Sequence, residues 1–359
     1  MVVVRDNPPT RLCIVRLSAI GDVCNTVPVV RAIQRALPQS SITWVIGKTE
    51  YALLSGLEGV QFVVLDKSRG LRAYLELRQQ LAGQHFDFLL HMHASLRANL
   101  VSLFVSSKTR LGFDRARARD FQWLFCNKYI GATDRQHVVD GFFEFTTAIG
   151  VHRKNEDPSW NIPLNKVEHE FASRYIDDSK PTLVISPCAG QRSRNYRNWR
   201  EERYAQVADY ASSALGASVI LTGGNTTLEH HYGSRICELA ESRIVNLIGQ
   251  TTLKQFLAIL ERATALVCPD SGPGHMATAT GTPAIGLYGT SNPSRTGPYL
   301  SRHLVVDKYP EAAQSQLNKT VKNIRWGARI RSPEVMDLIS VEDVVQKLKQ
   351  VDWSSKNFS

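Results

Sequence analysis

Apolar residues recur along the chain in short blocks, separated by amphipathic stretches at helical spacing. The first block, Leu12 to Leu17, leads into the turn Ser18-Ala19-Ile20-Gly21-Asp22 and a helical pattern from Val23 to Leu37 that stops before Pro38. Ile42 to Ile46, Val60 to Leu65 and Phe86 to Leu90 read as further strands, with helices around Tyr51 to Leu57, Leu71 to Leu81 and Leu96 to Val105. The rhythm breaks at Asp157-Pro158-Ser159-Trp160-Asn161-Ile162-Pro163, where two prolines among polar neighbours suggest a linker. It then restarts, with strand-like blocks at Leu183 to Ser186, Ser218 to Leu221, Ile244 to Leu247, Leu266 to Cys268 and Ala284 to Leu287. Helical patterns fall at Glu201 to Leu215, Leu228 to Glu241, Leu253 to Arg262 and Gly274 to Thr280, and Val341 to Val351 reads as a closing helix. Strands alternating with helices imply parallel sheets covered on both faces. The expected architecture is α/β: two Rossmann-like domains with a cleft between them, residues 1–160 and 161–335, followed by a closing helix and tail over 336–359.

Length agrees, since 359 residues exceed one typical domain. Charge adds information. Forty-three Lys and Arg against 33 Asp and Glu give a net +10, which favours anionic partners: nucleic acid, phospholipid headgroups or a phosphorylated small molecule. The basic residues are spread over both halves, and aromatic residues are sparse among them, which argues against nucleic acid. No run approaches the roughly 20 apolar residues that span a bilayer. The opening MVVVRDNPPT lacks the apolar segment of a secretory signal. Six cysteines without CxxC spacing, mostly in apolar segments, suit reduced thiols in cytosol.

Ligands of such sheets bind beyond the carboxyl ends of the strands, so the strand-to-helix turns carry the candidate chemistry. In the second half, Cys268-Pro269-Asp270-Ser271-Gly272-Pro273-Gly274-His275 joins a strand to a helix. Gly272 and Gly274 admit close backbone approach, and amides at the helix start suit a diphosphate. Asp270 would accept a sugar hydroxyl or hold the turn, and His275 could donate to phosphate. A plain helix cap at Asp270 or Ser271 explains the turn equally well. Arg192, Arg194, Arg197, Arg200 and Arg203 crowd after another strand, as phosphate ligands or as a solvated face. Glu229, beyond Thr222-Gly223-Gly224-Asn225, would grip a ribose or base, or merely stabilise its helix. In the first half, Asp22 opens a helix, where a carboxylate is usually structural; the same setting would keep it ionised for proton abstraction. Lys67, Arg69 and Arg72, with the cluster Lys108, Arg110, Arg115, Arg117 and Arg119, would face an anionic acceptor or a membrane surface. Neither half carries GxGxxG, which disfavours a dehydrogenase.

Arg16-Leu17-Ser18-Ala19-Ile20-Gly21-Asp22-Val23, with Pro28 beyond, resembles the opening of the lipopolysaccharide heptosyltransferases, glycosyltransferase family 9. Pro269-Asp270-Ser271-Gly272-Pro273-Gly274-His275, with Gly281-Thr282-Pro283 and Leu287-Tyr288-Gly289 downstream, resembles their donor loop. Two motifs in the right order, roughly 250 residues apart, are far more specific than either alone. The resemblance runs through nearly the whole chain and is strongest to members that add the first heptose to the Kdo of the inner core. It implies the GT-B fold, an ADP-heptose donor, a Kdo–lipid A acceptor at the inner membrane's cytoplasmic face, and neither cofactor nor metal. By the same resemblance, Asp22 is the general base, and Asp270, Ser271, Gly272, Pro273, Gly274 and His275 bind the donor. Arg197 stands where the family usually has a Lys on the diphosphate, and Glu229 falls near a ribose contact. Lys67, Arg69, Arg72, Arg115, Arg119 and His137 are assigned to the acceptor side; His137 belongs to a recurrent motif.

Overall fold

The structure, a computed structural model, describes residues 10–154, 158–190 and 195–354. It divides into two compact units at the bond between Pro163 and Leu164.

The first unit contains β1 (Arg11–Val15), α1 (Ile20–Ala36), β2 (Ser41–Gly47), α2 (Lys48–Leu54), β3 (Val60–Leu65) and α3 (Leu71–Leu81). It continues through β4 (His85–His91), α4 (Leu96–Ser102), β5 (Ser106–Gly112), β6 (Lys128–Tyr129) and α5 (Val138–Ala148). All pairings are parallel, in the order β3-β2-β1-β4-β5-β6. Leu12, Cys13, Ile14 and Val15 are fully buried, as a central strand covered on both faces requires. β5 escapes a reading by apolar blocks because its sequence, SSKTRLG, is largely polar. It lies next to the edge, with only the two-residue β6 beyond it, so several of its side chains reach solvent.

The second unit contains α6 (Lys166–Ser173), β7 (Thr182–Ile185), α7 (Glu201–Leu215), β8 (Ser218–Leu221), α8 (Thr227–Leu239), β9 (Ile244–Asn246) and α9 (Leu253–Arg262). After these come β10 (Ala265–Pro269), α10 (Gly272–Thr280), β11 (Ala284–Tyr288), α11 (Pro293–Thr296), β12 (Val306–Asp307), α12 (Tyr309–Leu317) and α13 (Val341–Leu348). Its parallel sheet runs β12-β11-β10-β7-β8-β9, the strand order of the first unit repeated. The closing helix is not an appendage: Val344 and Leu348 of α13 share a core cluster with Leu183, Val219 and Ile285. In each sheet the chain reverses its winding beside the first strand, between β1 and β4 and between β7 and β10. In open α/β sheets ligands bind beside such switch points, at the carboxyl ends of the strands.

The proline-rich segment is strapped down rather than free. Asp157 lies outside the described residues, but Trp160 is buried in the first unit and its indole Nε1 donates to Cys24 O at 3.0 Å. Pro28 sits inside α1 and has no N–H to give the carbonyl four residues earlier, which is that of Cys24. Trp160 supplies the missing donor. Arg31 adds bonds to Trp160 O and Asn161 O, and Arg35 one to Ser159. Among the described residues no helix is long and apolar enough to cross a membrane, and all six cysteines are free.

Candidate active site

At the carboxyl end of β1, the chain places a charged residue where burial is nearly complete. Arg16 donates from Nη1 to Met92 O, just past β4, at 2.5 Å, and its guanidinium lies 5.2 Å from the Phe142 ring centroid. Its Nη2 pairs with Asp22. Helix α1 starts at Ile20, three residues before the apolar periodicity, so Asp22 falls inside its first turn instead of capping it; Ala19 is the N-cap. The Asp22 side chain stays 38% exposed. A buried cation thus orients a carboxylate that solvent, or a substrate, can reach. Burial pushes the Arg16 pKa down, and Asp22 pulls it back up.

The end of β4 faces the same turn. His93 Nδ1 accepts the Leu17 N–H at 3.2 Å, which leaves the hydrogen of the neutral ring on Nε2. Burial, and then Arg16, push its pKa down to about 3. His91 is likewise pushed to about 3 by burial and then by Arg110. Both rings are neutral at physiological pH.

The basic residues of this unit divide by what they touch. Lys67 and Arg69 lie exposed in a short 3-10 turn after β3, with Arg69 bonded to Glu76 at 2.7 Å, and Arg72 is exposed at the start of α3. Arg115, stacked 4.2 Å from the Trp123 centroid, and Arg119 are exposed too. Arg110 and Arg117 are committed to the fold: Arg110 donates to Ser102 O, Val105 O and Phe125 O, and Arg117 pairs with Asp114 and Glu144. His137, expected on the acceptor side, also has a part in the fold. Its ring is buried, and Nδ1 caps α5 by accepting the Val139 N–H at 3.1 Å.

In the second unit, the turn after β10 runs into α10, whose N-cap Ser271 makes no capping bond and donates to Pro269 O instead. Gly274 is held tightly, since a Cβ there would stand 3.3 Å from Cys268 Sγ. Asp270 is buried; its Oδ2 accepts the Ser291 hydroxyl at 2.7 Å. Arg197 donates from Nη1 to Asp270 O at 2.7 Å and lies 3.7 Å from Asp270 Oδ2. A guanidinium, a carboxylate and the buried His275 in the first turn of α10 therefore share one loop. The Asp270 carboxylate thus ties this turn to Ser291 beyond β11.

The residues matched by the model of glycosyltransferase family 9 (heptosyltransferase) are 74–326. The chain belongs to that family. The "Lipopolysaccharide core heptosyltransferase OpsX" of Haemophilus influenzae is 38% identical over 343 residues, covering 96% of this chain and 97% of the relative. A solved family 9 glycosyltransferase of Veillonella parvula superposes with a TM-score of 0.76 at 22% identity, covering 95% of this chain and 96% of that one. E. coli heptosyltransferase WaaC with ADP gives 0.74 at 19%, with coverage of 95% and 99%. The twin Rossmann-like sheets are thus those of the GT-B fold.

Within this family 9 chain, the arginine run after β7 meets different fates. Arg197 joins the Asp270 loop, whereas Arg200 pairs with Asp337 and Arg203 donates to Asp337 O and Ile339 O, stapling the C-terminal segment. Arg192 and Arg194 lie outside the described residues. Glu229 turns back on its own loop, accepting from Gly224 N at 2.7 Å and Thr226 Oγ1 at 2.6 Å, so the helix-stabilising option describes its bonds. Arg16 and His93 carry no role in a reading by motif. The signal for Arg16 is its place at the end of an apolar strand, six residues ahead of Asp22; His93 becomes visible only once β4 is paired beside β1.

Proposed function

We propose that this protein is an inverting, metal-independent glycosyltransferase that moves heptose from ADP-L-glycero-D-manno-heptose to the Kdo of lipopolysaccharide inner core. The observation that carries the mechanism is the exposed Asp22 carboxylate held by buried Arg16. Asp22 takes the proton of an acceptor hydroxyl as that oxygen bonds to the anomeric carbon. The bond from that carbon to the diphosphate oxygen breaks at the same time, and ADP departs with the electron pair. Arg197, His275 and the α10 amides at Gly272 and Gly274 meet the charge growing on the leaving group, the work done by a metal ion in other sugar transferases. Fixed donors cost no reorganisation at the moment of reaction, which is why they count heavily there. Exposed Lys67, Arg69, Arg72, Arg115 and Arg119 hold the carboxylates and phosphates of Kdo–lipid A, on the cytoplasmic face of the inner membrane. The H. influenzae relative, named as a lipopolysaccharide core heptosyltransferase, supports heptose as the sugar and lipopolysaccharide core as the acceptor.

The test is a donor screen, ADP-heptose against UDP- and GDP-sugars, with purified Kdo–lipid A and EDTA present. Transfer from ADP-heptose alone, undiminished by EDTA, is expected. Asp22→Asn should lower turnover by a factor on the order of 1000 while leaving ADP affinity within about twofold. Transfer only from a UDP-sugar, a requirement for Mg²⁺, or a near-normal Asp22→Asn enzyme would each remove the corresponding part.

A further inference from the structure

We propose that the outer face of α3 and α4, with the 119–124 turn, is a docking surface for an anionic lipid bilayer. Of thirteen large apolar side chains exposed among the described residues, eight lie between residues 71 and 129. Their spacing is not scattered. Leu96, Leu100 and Leu103 fall at i, i+4 and i+7, one outward stripe along α4, while Ala98 and Val101 on the opposite side enter the core. On α3, Leu71 and Leu75 form the same kind of stripe, continued by Arg78, while Ala73, Leu77 and Leu81 face inward. Leu71 is 84% exposed. A helix that buries one face in a soluble core normally presents polar residues on the other; these two present leucine.

The two stripes belong to one surface. Both helices pack on the same core cluster, and Tyr74 of α3 meets Phe104, just past α4, with ring centroids 6.5 Å apart. The 119–124 turn is tied to α4 as well: Asp120 Oδ2 accepts the Leu96 N–H at 3.0 Å, and Asn99 donates to Asp120 O at 2.6 Å. Asp120 and Phe121 both take positive φ, 50° and 59°, a conformation that L side chains rarely adopt. The turn so formed leaves Phe121 66% exposed and Leu124 exposed nearby.

Charge chooses the occupant. Exposed Arg72, Arg78, Arg97 and Arg119 flank the leucines. Apolar side chains set among arginines match the boundary between acyl chains and anionic headgroups. A second copy of the chain would set the same cations against each other. This surface rests on the proposed membrane-borne acceptor for its purpose, and its position would keep the enzyme where that acceptor emerges.

The experiment uses the full chain and vesicles of phosphatidylethanolamine with phosphatidylglycerol, without donor or acceptor, and phosphatidylcholine vesicles as the neutral comparison. We expect co-sedimentation with the anionic vesicles and little with the neutral ones. The quadruple variant Leu71→Ser, Leu75→Ser, Leu100→Ser, Leu103→Ser should lose about tenfold or more in vesicle affinity. Its turnover on a de-acylated Kdo acceptor should stay unchanged, because the four leucines are exposed and none is among the residues assigned to donor or acceptor. The proposal is overturned if wild type ignores anionic vesicles or if the variant binds them equally well. It is also overturned if the leucines prove to cover a second copy, so that the substitutions dissociate a dimer without changing vesicle binding. Intact vesicle binding with no heptose transfer by wild type would strike the transferase reading and leave this one standing.

Discussion

A carboxylate that must take a proton from a sugar hydroxyl has to be charged, oriented and reachable. For the proposed base, Arg16 orients the Asp22 carboxylate, which its 38% exposure leaves reachable. The turn alone favours a structural Asp22 and the family resemblance makes it the base, but neither reveals the pairing with Arg16. An arginine at the end of an apolar strand ordinarily snorkels to water; this one is retained because Met92 O, Asp22 and the face of Phe142, from three separate segments, surround it. His91 and His93 have a measurable consequence in the same place. Their folded pKa values, about 3, lie below the ordinary histidine range. The unfolded chain therefore binds protons that the native state refuses. Their contribution to stability is complete above about pH 6.5 and is lost as pH falls towards 3, by up to about 1.4 kcal/mol per pH unit for each ring. His93→Gln keeps an acceptor for the Leu17 N–H and removes one of the two proton sites. Its urea midpoint should fall less between pH 7 and pH 5 than that of wild type; parallel falls would show that His93 is not held neutral by the fold.

Among elements, the central strands and the helices that cover them were legible, since burial on one or two faces writes a period into the sequence. β3, α3, β8 and α9 begin and end where the apolar pattern does. β5 was not legible, because a strand next to an edge need not be apolar; α5 goes unread although its Val139, Phe142, Phe143 and Phe145 fall at helical spacing. The segment around Trp160 shows a different limit. Two prolines suggest a linker, yet the indole there completes a helix some 130 residues earlier in the chain. That pairing makes a specific expectation. Trp160→Phe should strand the buried Cys24 carbonyl and cost about 1–3 kcal/mol. In a Pro28→Ala background the new amide satisfies Cys24 O from within α1, so the same substitution should cost distinctly less. Equal costs in both backgrounds, measured by urea unfolding of the full chain, would mean that Trp160 stabilises by packing alone.

Across the whole molecule, a count of 43 Lys and Arg overstates the cations offered to ligands. Arg110, Arg117, Arg200 and Arg203 are committed to carbonyls and carboxylates of the fold, and no charge run in a sequence distinguishes them from neighbours that face solvent. What is left has two characters. Lys67, Arg72, Arg115 and Arg119 are exposed, so mobile ions compete directly with an acceptor for them. Arg197 is 15% exposed and already docked on the Asp270 loop, and the amides of α10 carry no net charge to screen. Salt should therefore act unequally on the two substrates. Between roughly 50 and 300 mM NaCl the Debye length falls from about 14 to about 6 Å, so long-range attraction between exposed charges is largely removed while short, sheltered contacts persist. KM for Kdo–lipid A should rise several-fold over that range, and KM for ADP-heptose by less than about twofold. Steady-state kinetics with each substrate varied in turn decides the matter, using a de-acylated acceptor so that changes in vesicle binding do not enter. Equal rises would mean that the exposed cations of the first unit do not hold the acceptor, and would move that role to other residues.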